Sequence, residues 1–150
     1  MPGRISTWAA VVSCVALVIG ASCDRGPAPD PATDPRAREV AEAFVQAMLS
    51  SKWSEAMQFV SNHGPSQEQI QEAHDYLVLN RFRRTGPPHF DPKAGFREGP
   101  AGFEFPMRGL QGGVEGPPGT NEAQWEFVVY VEFEDNEWWV IGYAYTVTGP

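Results

Sequence analysis

Apolar residues recur at three- and four-residue spacing through Val40, Ala43, Phe44, Ala47 and Met48, which predicts a helix with one buried stripe. Asp34 is placed to cap it, and Pro35 fits the first helical position, where a missing N–H costs nothing. Arg38, Glu39, Glu42 and Gln46 fall on the solvated side. Ser50-Ser51-Lys52-Trp53 breaks the pattern. Ser54 is then a candidate cap for a second short helix, on which Ala56, Phe59 and Val60 extend the apolar surface. Asn62-His63-Gly64-Pro65 reads as a turn. Ser66, with Gln69 three residues on, is a capping-box signature for a third helix running to about Leu79 and burying Ile70, Ala73 and Leu77.

From Thr85 to Thr120 the chain changes to Gly, Pro and short alternating pieces such as Gly102-Phe103-Glu104-Phe105, with Pro106 interrupting. This texture predicts edge strands and loops, with a long loop from Gly109 to Gly119. Strict alternation then begins. Trp125, Phe127, Val129, Val131 and Phe133 form one face of a strand through Glu134, and a second run spans Glu137 to about Thr148. Asp135-Asn136 suits a two-residue hairpin turn with positive φ. That turn pairs Phe133 with Trp138, Val131 with Val140, Val129 with Gly142 and Phe127 with Ala144. Gly142 and Ala144 would leave room for a helix on the core face. The opposite face would carry Val128, Tyr130, Trp139, Ile141, Tyr143 and Tyr145, with Glu126, Glu132 and Glu134 among them. So aromatic a face predicts a cover, and the five residues Tyr130, Trp139, Ile141, Tyr143 and Tyr145 are a candidate interaction surface. Residues 85–120 folded back over it are the alternative.

Composition adds boundaries. The chain has 150 residues and a formal charge of −8, from 19 acidic and 11 basic residues, which argues against nucleic acid as a partner. Four of the five Trp, all nine Phe and all four Tyr fall in residues 36–150 and supply a core for one domain there. Residues 1–22 read as a signal peptide: Arg4 gives a positive start, and Trp8 to Ile19 is apolar but short for a bilayer span. Cys14 would leave with it, so Cys23 is the one thiol of the mature chain and no internal disulfide can form. Residues 24–35, DRGPAPDPATDP, favour extended polyproline II and read as a tether reaching up to roughly 35 Å at about 3.1 Å per residue.

Ile19-Gly20-Ala21-Ser22-Cys23 resembles the lipobox of bacterial lipoproteins, departing from it at Gly20. The resemblance implies acylation of Cys23, palmitate among the chains, and an exported protein held at a membrane of the bacterial cell envelope, facing the periplasm or the outer surface. Plain secretory cleavage is the alternative. The order helix, helix, helix, aromatic hairpin, carried by EVAEAFVQAMLSSKWSEAMQFVS at 39–61 and WEFVVYVEFEDNEWWVIGYAYTV at 125–147, resembles the nuclear transport factor 2-like, or ketosteroid isomerase-like, cone. The resemblance implies an α+β fold: three N-terminal helices packed on a curved antiparallel sheet, often with a pocket in the cone and a homodimer through the sheet. A cystatin-like α+β arrangement is the competing fold.

Chemistry is sparse. His63, His74 and His89 lack the spacing of a metal site and have no cysteine near them, so neither metal nor cofactor is expected. His74 and Tyr76 are candidate pocket residues, since proton-transfer enzymes of the resembled fold place such groups inside the cone. On a helix, however, residues 74, 75 and 76 diverge by about 100° each. Arg81, Arg83 and Arg84 are a candidate anion contact, or simply cations beside a helix C-terminus. No catalytic set can be assigned. The sequence therefore predicts a non-enzymatic envelope module that binds a partner protein or a small apolar ligand, with an acid–base isomerase or dehydratase, intact or degenerate, as the alternative.

Overall fold

The computed structural model describes residues 26–94, 101–113, 116–117 and 122–147. The expected signal peptide, Cys23 and the end of the expected second hairpin strand lie outside them. Helix α1, Pro35–Leu49, begins as its sequence requires: the Asp34 carboxylate accepts the Arg36 N–H at 3.0 Å. The same carboxylate accepts the Trp138 indole N–H at 2.9 Å, so one cap ties the helix to the far end of the chain. Its buried stripe is Ala37, Ala41, Phe44, Val45, Ala47 and Met48, while Val40 and Ala43 are only half-buried.

Two helices end in the same way. After α1, Ser51 takes φ +56°, Ser51 N–H bonds to Met48 O at 3.0 Å, and Lys52 N–H bonds to Ala47 O at 2.9 Å. After helix α3, Gln67–Leu79, Arg81 takes φ +51°, with Arg81 N–H on Val78 O and Phe82 N–H on Leu77 O. Both are Schellman caps built without the usual glycine. The first corrects an expectation. Short helix α2, Trp53–Ala56, starts directly from the cap at Lys52, so Ser54 lies inside it and makes no cap. The start of α3 holds as read, with both bonds of the Ser66–Gln69 capping box present and Ile70, Ala73 and Leu77 buried.

Among the described residues, strands β1 (Arg83–Arg84), β2 (His89–Asp91), β3 (Gly102–Leu110), β4 (Glu122–Glu134) and β5 (Glu137–Val147) form one antiparallel sheet. Its order is β1-β3-β4-β5, with β2 pairing β3 beyond β1. The expected edge pieces are thus corrected: β3 is an inner strand of nine residues, and Gly109 belongs to it rather than to a loop. Pro106 is tolerated because of where it falls. Its carbonyl accepts Thr85 N–H on the outer side, and in an antiparallel strand the nitrogen of a residue faces the same way as its carbonyl. The absent N–H therefore falls between the short segments that β1 and β2 pair, and the β4 ladder loses nothing.

The β4–β5 turn takes φ +51° at Asp135 and +67° at Asn136, as its sequence implies. Phe133 faces Trp138 and Val131 faces Val140. Beyond them the expected register fails. A bulge between Tyr130 and Val131 puts Gly142 opposite Tyr130, leaving Ile141 as the extra residue, so Val129 faces Tyr143 and Phe127 faces Tyr145. One inserted residue reverses the faces of everything after it. Tyr143 and Tyr145 turn toward the helices, where Gly142 and Ala144 had been expected.

The space between helices and sheet is closed by side chains: Phe44 and Met48 from α1, Ile70 and Leu77 from α3, and Phe105, Phe127, Val129 and Val140 from the sheet, all at most 2% exposed. Tyr143 completes this layer. Its ring stacks on Phe127 at 5.5 Å, and its hydroxyl donates to Gln69 O at 2.6 Å. Part of the segment expected to be a free tether is engaged: Asp30 folds a turn with Ala32 and Asp34, and Gly26 and Ala28 border a shallow cavity with Phe133 and Asn136.

Candidate functional site

The two candidate pocket residues, placed on α3 by its periodicity, are not brought together. The His74 ring is largely buried against the edge of Trp53, with centroids 5.0 Å apart. Its Nε2 lies 3.2 Å from Ser51 Oγ and its Nδ1 3.3 Å from Asp75 Oδ1. Tyr76 points elsewhere, packing on Tyr145 and Phe82. The Ser51–His74–Asp75 chain has the order of a nucleophile relay, but the N–H groups of Ser51 and Lys52 are both used in the α1 cap and offer no oxyanion site.

The arginines divide similarly. Arg84 is engaged by Glu42 at 3.3 Å and lies over the Phe105 ring, 5.1 Å from its centroid, fastening β1 to α1. Arg81 sits in the left-handed cap position of α3, and Arg83 is exposed on β1. Arg83 and Arg84 are consecutive on β1, so their side chains leave opposite faces of the strand.

On the outer sheet face, the bulge removes two of the five residues expected there, Tyr143 and Tyr145. A third, Tyr130, is only 5% exposed and packs with Val128 and Ala94, so a segment from within residues 85–120 covers that part of the face. Trp139 and Ile141 remain there, half-buried near the acidic hairpin tip. Burial raises the pKa of Tyr143, helped by Glu72, and pushes Tyr145 further up, so both hydroxyls stay protonated.

Beside this covered patch lies a group that sequence spacing did not point to. His89 on β2 stands opposite Glu104 on β3, and Glu104 stands opposite Val128, one pleat from Glu126 on β4. All three side chains therefore project from the same face of three adjacent strands. His89 Nε2 contacts Glu104 Oε2 directly. Ligand atoms of all three residues lie within 4.8 Å of one another, so the Glu104 and Glu126 carboxylates meet beside the imidazole. Glu104 is buried, Glu126 half-buried and His89 exposed. Burial raises the Glu104 pKa first; Glu126 and Asp91 add to the rise, and His89 opposes it. The alternation in 125–133 places Glu126 off the core face, whereas Glu104 falls in a stretch read as edge strands and loops. Their adjacency required the β3–β4 register, which joins residues 22 apart.

Neither a protein-family model nor a curated protein matches the chain. Among solved structures, it is similar to a chain from Xanthomonas campestris described as a calcium/calmodulin dependent protein kinase II association domain: 16% identity, 81% of this chain and 93% of that one covered, TM-score 0.44. The architecture seen here is the one expected from the sequence, α+β with three helices on an antiparallel sheet.

Proposed function

We propose that the chain is an envelope-tethered, non-enzymatic interaction module, exported and anchored through an acylated Cys23. The observation that supports the non-enzymatic part is how the described residues fill the interior: Phe44, Met48, Ile70, Leu77, Phe105, Phe127, Val129 and Val140 are each at most 2% exposed, and His74 turns from them toward Ser51 and Asp75. An acid–base enzyme in this fold needs a cavity with a converging proton donor and acceptor. Recognition then falls to the surface, where Trp139 and Ile141 beside Glu132 and Glu134 are the candidate contact with a second copy or another envelope protein.

The anchor is supported by the leader, the lipobox-like pentapeptide and the Pro-rich segment after it. Mass spectrometry of the mature N-terminus and membrane fractionation test it together: a diacylglyceryl-modified Cys23 is expected, with release of Cys23→Ala from the membrane. For the surface, Trp139→Ala is expected to abolish a cross-linked complex in intact cells while the protein remains folded. An unmodified soluble chain, or an unchanged cross-linking pattern, would overturn the respective half.

A further inference from the structure

We infer that His89, Glu104 and Glu126 form a binding site for one divalent transition-metal ion, of which Zn2+ is the reference member. Three strands deliver one ligand each. His89 offers an imidazole nitrogen and the glutamates offer carboxylate oxygens, all within 4.8 Å of one another, so small side-chain rotations would bring them onto one ion at about 2.0–2.2 Å. The ligands are rooted on paired strands, which fixes their Cα positions and leaves only side-chain adjustment to be made.

Charge points the same way. Two carboxylates meet at this position, one of them on a buried side chain, and a dication would balance both.

A separate observation marks the same place as built for a ligand. The Tyr130 hydroxyl is buried without a hydrogen-bond partner, on a side chain only 5% exposed, on the same sheet face and within electrostatic reach of Glu104. A water on the ion, or a ligating carboxylate, would give that hydroxyl its missing partner. The imidazole nitrogen selects against Mg2+ and Ca2+, which take oxygen donors. Because the protein supplies three ligands and the His89 side is open, a fourth position is left for water or for a group from a partner.

The test uses the full-length chain purified in detergent, stripped with chelator and titrated with Zn2+ by calorimetry, with Ca2+ and Mg2+ as competitors. One Zn2+ per chain is expected, undisplaced by equal Ca2+ or Mg2+. Glu104→Gln, Glu126→Gln and His89→Ala should each weaken binding at least about tenfold, whereas the double variant His63→Ala, His74→Ala should leave it unchanged. His89→Ala changes an exposed residue, so it reports on the site even if Glu104→Gln fails to fold. The proposal is overturned by absence of stoichiometric Zn2+ binding. Binding that survives His89→Ala and Glu126→Gln, or that disappears in the His63, His74 double variant, overturns it equally, as does a preference for Ca2+.

Discussion

Replacing Gly109 by alanine separates a buried strand from the surface loop its surroundings suggest. A Cβ built at this position would lie 1.9 Å from Phe82 Cδ1, 2.4 Å from Phe82 Cε1 and 2.8 Å from the Asn80 carbonyl oxygen. Phe82 cannot swing away cheaply, being held between Trp125 at 5.4 Å and Tyr76 at 6.0 Å. The Asn80 carbonyl is also fixed, since it accepts Leu110 N–H at 2.7 Å. Overpacking a tight site costs about 1–3 kcal/mol, and a clash that involves both a ring and backbone should reach the upper end, about 3 kcal/mol. In a domain of this size that corresponds to a fall in Tm of roughly 10 °C. Thermal and urea denaturation of Gly109→Ala would be measured beside Gly142→Ala. At Gly142 the nearest atom is Tyr130 Cδ2 at an ordinary 3.6 Å. There the expected change is neutral to about 0.5 kcal/mol of stabilisation, from the lower entropy of the unfolded chain. A Gly109→Ala protein that melts with the wild type would refute the placement of Gly109 against Phe82, and with it the length of β3.

Tyr143→Phe should lose about 1 kcal/mol, because it deletes the hydroxyl bond to Gln69 O and keeps the stack on Phe127; an unchanged urea midpoint would put Tyr143 back on the outer face. The Asp34 carboxyl is held well below the usual carboxylate range by hydrogen bonds from Arg36 and then Trp138. Since its folded pKa is depressed, its contribution is present above the unfolded value of 3.8 and is lost as pH falls below it; Asp34→Asn should flatten that acid limb in a fluorescence-monitored titration. Asn136→Gly should stabilise the hairpin by about 0.5 kcal/mol, since residue 136 sits at φ +67° in a turn that favours glycine there, and a loss of stability on chemical denaturation would contradict the turn type.

Much of this protein could be read locally. The Asp34-Pro35 start, the Ser66–Gln69 box, the buried stripe of α3 and the Asp135-Asn136 turn each depend on groups within about four residues of one another. Such interactions are written in sequence because the chain makes them whatever the rest of the domain does. The tertiary structure alone decided three matters. Pro106 and five glycines between 109 and 119 argue locally for a loop, yet residues 102–110 gain partners on both sides, and Pro106 loses only a hydrogen bond that neither neighbouring short strand offers. The bulge at Ile141-Gly142 changes the parity of β5, and no local preference of Tyr143 or Tyr145 distinguishes the two faces, because an aromatic residue suits either. His89, Glu104 and Glu126 become neighbours only through cross-strand pairing over 15 and 22 residues. Pairing of that kind is set by the sum of many distant contacts, so residues that look like unrelated solvent-facing charges along the chain meet as one cluster in the fold.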